Sequence, residues 1–79
     1  MSNQPVGPEI SITVNGEARF IPPGLNVRTL LVHLGLDPAR VAVELNRLIV
    51  RKPEWESTSI EANSSLEIVT FVGGGRSGT

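Results

Sequence analysis

Cysteine is absent from this 79-residue sequence. That excludes disulfides, a thiolate nucleophile and a thiolate-bound metal, and it fits a reducing cytosol. Any sulfur chemistry must therefore use sulfur brought by another molecule. Aromatic side chains are scarce at 4%, namely Phe20, Trp55 and Phe71, and no excess charge of one sign exists, with seven basic and eight acidic residues interspersed. Nucleic-acid binding through a basic stripe is thereby disfavoured. No apolar run approaches the roughly 20 residues of a membrane span, and "MSNQPVGPE" lacks the charged and apolar regions of a signal peptide. A soluble, cytoplasmic protein without nucleic-acid or membrane partners is expected. A chain of this length forms one domain and buries only roughly 60% of its unfolded surface, too little for a deep active-site cleft.

What is present is clear periodicity. Residues 1–9 hold two prolines and a glycine without pattern and are expected as a disordered lead, with a folded domain over 10–72 and a flexible glycine-rich tail over 73–79. In "ISITVNGEARFI", Ile10, Ile12 and Val14 alternate with Ser11 and Thr13, and Asn15-Gly16 supplies the positive φ pair of a type I′ hairpin. The returning strand, Glu17 to Ile21, is ended by Pro22-Pro23-Gly24. Then the period changes: Val27, Leu30, Leu31 and Leu34 predict a helix from Asn26 to Leu34, capped by Asn26 and closed by Gly35. "VAVELN" alternates again, "LIV" at 48–50 is a short strand after a turn at Asn46-Arg47, "RKPEWESTSIEANSS" is mostly loop, and "LEIVTFV" is the last strand. A hairpin, one helix and further strands make an α+β layer arrangement, with the first strand expected centrally beside the last, as in a β-grasp fold.

Chemistry-bearing constellations are few. His33 is the single histidine and has no nucleophile motif around it; it is expected as a helix-surface or half-buried residue of no chemical role. Glu9, Glu17, Glu44, Glu54, Glu56, Glu61 and Glu67 are scattered as on a solvated face, Trp55 is expected to cover the small core, and no metal-ligand cluster stands out. "GGG" lacks the lysine and following helix of a phosphate loop. Attention passes to the last strand. Leu66 and Ile68 share the parity that suits a core, whereas Val69 and Phe71 share the other and are expected outside, beside Glu67, as a docking patch. Gly73, Gly74 and Gly75 follow. Without side chains they can thread a narrow passage in another protein, and at about 3.3 Å per residue they reach roughly 10 Å. A plain linker fits the same composition.

The segments "ITVNGEAR", "TLLVHLGL", "VAVELNRLIVRKPEW" and "LEIVTFVGGG", in that order, resemble the small sulfur-carrier proteins of thiamine biosynthesis, in the ThiS/MoaD group of ubiquitin-like β-grasp proteins. "ANSS" stands where that group often has a Gly-Asp turn, and Arg76–Thr79 follow the glycines at which its members usually end. The resemblance implies a mixed sheet of four to five strands packed on one main helix, and a substrate protein rather than an enzyme. A ThiF- or MoeB-like partner, using ATP and magnesium, would adenylate the carboxylate of Gly75, or alternatively Gly74. A persulfide from a cysteine desulfurase pathway would convert it to a thiocarboxylate that donates sulfur to thiazole synthase. Gly73 and Gly74 match the arm that enters the partners, Val69 and Phe71 match the docking surface, and this chain itself binds no cofactor and no metal. Arg76–Thr79 are expected to be removed by a protease or to be foreign to the natural chain. A ubiquitin-like modifier, or a carrier serving molybdopterin, cysteine or another acceptor, shares the same activated terminus; "VAVELN" and "EW" favour the thiamine branch.

Overall fold

The alternation at the start becomes strand β1, Ile10–Val14, which pairs antiparallel with β2, Glu17–Ile21. Asn15 and Gly16 join them at φ +51° and +84°, the left-handed pair of a two-residue type I′ turn. This is a computed structural model and it describes residues 8–71. The segments 1–7 and 72–79, which include most of the expected lead, the glycines at 73, 74 and 75, and Arg76–Thr79, lie outside the described residues.

Helix α1 spans Val27–His33, with the residues expected at its two ends acting as caps. Asn26 Oδ1 accepts from the Thr29 backbone N–H at 2.8 Å while Thr29 Oγ1 accepts from the Asn26 N–H at 2.9 Å. This is a capping box in which threonine replaces the usual Glu or Gln. At the other end Gly35 takes φ +77°, its N–H donates to the Val32 carbonyl, and the Leu36 N–H donates to Leu31. Those two bonds are the Schellman closure that the glycine foreshadowed. Asp37 then caps a 3₁₀ turn, Pro38–Arg40, that delivers the chain to β3, Val41–Leu45. A second turn of positive φ, Asn46 at +51° and Arg47 at +73°, returns it as β4, Leu48–Val50.

The segment expected as mostly loop departs from that expectation. Lys52–Ser57 winds into a 3₁₀ helix with Pro53 near its start and Trp55 turned inward, and Ile60 is buried as well. A helix this short with three residues per turn leaves no amphipathic stripe for periodicity to detect. Trp55 is 1% exposed, and its indole N–H donates to the Val50 carbonyl at 2.9 Å, so the expected cover over the core is a fully buried part of it.

Strand β5, Ser65–Thr70, occupies the middle of a five-stranded mixed sheet ordered β2-β1-β5-β3-β4, parallel to β1 and antiparallel to β3. One face of the sheet carries Ile12, Val14, Val43, Leu66 and Ile68 onto Val27, Leu30 and Leu31 of α1. Leu34 is only half-buried at the margin of this core. Helix and loops cover that face alone, so the architecture is α+β with two layers, the β-grasp arrangement.

Candidate functional site

The uncovered sheet face is built by parity. In β5 the side chains of Leu66 and Ile68 enter the core, so Glu67 and Val69 must point the other way. In the register of β3 with β5, Ala42 stands opposite Val69 and Glu44 opposite Glu67; β4 adds Ile49 opposite Glu44. Ala42, Glu44, Ile49, Glu67 and Val69 thus line one shallow groove of about 140 Å³. That is below the roughly 300 Å³ at which small-molecule sites begin. A face like this suits another protein better than a cofactor. Ile49, Val69 and Phe71 are 73%, 57% and 54% exposed, so the outward placement expected for Val69 and Phe71 holds.

Where the chain leaves the sheet it is secured by the backbone. The Phe71 N–H donates to the Arg40 carbonyl at 2.7 Å, one step beyond the β3–β5 ladder. On the other flank β1 ends at Val14, and Asn15 supplies the missing partner. Its Oδ1 accepts from the Ile68 N–H at 2.7 Å and its Nδ2–H donates to the Ile68 carbonyl at 3.1 Å. The asparagine amide acts there as a substitute peptide group. Asn46 pairs with the start of β5 through one backbone and one side-chain group: its backbone N–H donates to the Ser65 carbonyl at 2.7 Å and its side-chain Oδ1 accepts from the Ser65 N–H at 2.9 Å. Two turn residues therefore hold the start and the middle of the strand that carries the candidate site, at Ser65 and Ile68.

Among the described residues no group of three or more His, Asp or Glu side chains could hold a metal ion, and no helix is long and apolar enough to cross a membrane. His33 sits exposed in the last turn of α1, away from the outer sheet face. Of the expected site residues the structure brings together Val69 and Phe71; Gly73, Gly74 and Gly75 lie outside the described residues. Sequence reasoning missed Ala42, Glu44 and Ile49 as parts of the same face. The alternation of "VAVELN" placed Ala42 and Glu44 outward, but only the β3–β5 register puts them beside Val69, and the apolar triplet Leu48–Val50 has no alternation to read.

A family model described as the ThiS family matches residues 12–75. The chain is 39% identical over 66 residues to a thiazole synthase of Paramagnetospirillum magneticum, an alignment covering 84% of this chain and 20% of that protein. It is 38% identical over 66 residues to the uncharacterized protein ycf40 of Pyropia yezoensis, with 84% of this chain and 93% of that one covered. The chain therefore spans about a fifth of the length of the thiazole synthase and nearly all of the ycf40 protein. Among solved structures, the crystal structure of thiamine biosynthesis protein ThiS from Geobacter metallireducens superposes with a TM-score of 0.72 at 30% identity, covering 84% of this chain and 100% of that one. The NMR solution structure of a thiamine biosynthesis protein from the same organism gives 0.70 at 32% identity, with 84% and 88% covered.

Proposed function

We infer, from the fact that this chain belongs to the ThiS family, that it is a sulfur carrier of thiamine biosynthesis that works as the substrate of partner enzymes. The observation that carries this is the match of residues 12–75, which takes in both the fold and the glycines at 73, 74 and 75. The thiazole synthases to which the chain is similar resemble it over a segment of their own length, which favours thiazole formation as the destination of the sulfur.

The chemistry follows from the weakness of a carboxylate as an electrophile. Its oxygen attacks the α-phosphorus of ATP in a ThiF- or MoeB-like partner that supplies magnesium. Pyrophosphate leaves, and the acyl adenylate then has AMP as a good leaving group. A persulfide formed through a cysteine desulfurase attacks the acyl carbon and expels AMP, giving an acyl disulfide. A thiol cuts its S–S bond, becomes part of a new disulfide, and leaves the thiocarboxylate. We place this carboxylate on Gly75, with Gly73 and Gly74 as the slender arm and Val69 and Phe71 on the docking surface. The Gly75–Arg76 peptide bond must be open for Gly75 to present it.

Two proteins test this, one ending at Gly75 and one at Thr79, each incubated with the adenylating enzyme of the same organism, ATP, magnesium and a persulfide source. Intact mass spectrometry should show one oxygen replaced by one sulfur on the form ending at Gly75 alone. The same gain on an uncut Thr79 form would remove Gly75 from its role. No gain on either form would remove the carrier function.

A further inference from the structure

β5 loses its neighbour on one side before it ends. β1 pairs with it only as far as Val14 opposite Leu66, and Asn15 extends that flank by holding both backbone groups of Ile68. The hydrogen-bonding groups of successive strand residues point to opposite flanks. Leu66 and Ile68 present theirs to Asn15, and Phe71 presents its N–H to Arg40 on the β3 side. Thr70 therefore turns its N–H and carbonyl toward the β1 flank, past the point where β1 and Asn15 stop, and it bonds there to no other described residue. On the inner side of the same place a groove of about 150 Å³ opens between Asn15, Arg19, Leu34, Leu36 and Thr70. Unpaired strand groups beside open space are a template for one more strand.

The sequence just past β5 has the residues for that strand. Gly73-Gly74 is a favoured pair for a two-residue type I′ turn, the turn this chain already makes at Asn15-Gly16. A turn centred there sets Val72 opposite Gly75, Phe71 opposite Arg76 and Thr70 opposite Ser77. The parity agrees, because in such a hairpin Thr70 and Ser77 form a hydrogen-bonded pair, on the flank where the Thr70 groups point. Arg76 then lies on the outer side across from the Phe71 ring, whose face attracts a guanidinium, and Ser77 lies beside the Thr70 hydroxyl on the groove side. Pairing stops at Ser77, since Asn15 already holds Ile68. A segment joined to this edge by a two-residue turn is present at an effective concentration on the order of mM, which favours it over a strand from a second copy.

We propose that the open flank of β5 at Thr70 binds the chain's own segment Gly75–Ser77 as a short added strand, folded back through Gly73-Gly74. The Thr70 N–H donates to the Ser77 carbonyl, and the Ser77 N–H donates to the Thr70 carbonyl. This pairing does not depend on the carrier function, but its consequence does. Cleavage after Gly75 removes Arg76 and Ser77, the two residues that face Phe71 and Thr70. One cut then both exposes the Gly75 carboxylate and frees the glycine arm.

NMR of isotope-labelled protein ending at Thr79, compared with protein ending at Gly75, tests the strand without any partner enzyme. In the longer form the Hα protons of Phe71 and Arg76 should show the close contact of a non-hydrogen-bonded antiparallel pair. Its Thr70 amide should exchange about tenfold more slowly than in the form ending at Gly75. Gly74→Val puts a β-branched residue where the turn needs positive φ, and Ser77→Pro removes the donor to the Thr70 carbonyl. Each should erase both signals while the domain melts as wild type. Trypsin should cut after Arg76 about tenfold faster in Gly74→Val than in wild type, because it attacks the open population. Equal Thr70 exchange in the two lengths, or no contact between Phe71 and Arg76 in the longer one, would overturn the strand. Thr70 contacts that appear only between differently labelled molecules would give the edge to a second copy and overturn it as well. If the contact is present but neither length gains sulfur in the test above, the strand stands and the carrier function falls.

Discussion

Asn15 carries two duties that different substitutions separate. Its φ of +51° serves the hairpin turn, while its side chain completes the pairing of Ile68. Glycine keeps the first and loses the second, so Asn15→Gly should lower unfolding free energy by about 1–3 kcal/mol, the loss of two hydrogen bonds to partly buried backbone groups. Alanine loses both, adding about 1–2 kcal/mol for a Cβ in the left-handed region. Urea unfolding that finds the two variants equally stable would show that the turn conformation carries no strain. The turn role of Asn15 was legible in the dipeptide Asn15-Gly16, because positive φ is a local demand. The clamp was not: its partner is 53 residues away, and a turn preference says nothing of what lies beside the turn. Glu67 shows the same limit. Its outward parity could be read from Leu66 and Ile68, but its confrontation with Glu44 exists only once β3 and β5 are in register.

Elements differ in how far sequence predicts them. Helix α1 was readable because four apolar residues at helical spacing, an N-cap and a C-terminal glycine all agree. Its buried side, Val27, Leu30 and Leu31, is fully shielded. Replacing Leu31 with alanine should therefore cost about 2–5 kcal/mol. Circular dichroism melts at matched concentration should show a large fall in melting temperature, and a Leu31→Ala protein as stable as wild type would refute the packing of α1 on the sheet. The Lys52–Ser57 turn lay beyond such reading, since its one buried side chain, Trp55, is positioned by the hydrogen bond to Val50 and by Ile60 and α1 closing around it rather than by any repeat. Strand β4 could be found but not oriented, for three apolar residues in succession assign no face.

At the scale of the molecule, the order β2-β1-β5-β3-β4 puts the last strand in the centre and the two hairpin returns at the edges. Backbone opening should follow that order. In hydrogen exchange, amides of β5 such as that of Ile68 should be protected close to the global unfolding free energy, while amides of β2 and β4 that face outward from the sheet edges exchange by local fraying. Faster exchange at Ile68 than at the edges would mean that β5 is not held as the two asparagines imply. The central place of β5 also bears on mechanical load. A partner that draws in the chain beyond Phe71 pulls along the axis of β5, and the parallel β1 resists from one side while β3 resists from the other. An edge strand under the same tension would peel, breaking one hydrogen bond at a time. Here the bonds on both flanks lie across the pull and bear it together in shear, so the domain can be towed by its end without being unravelled from it.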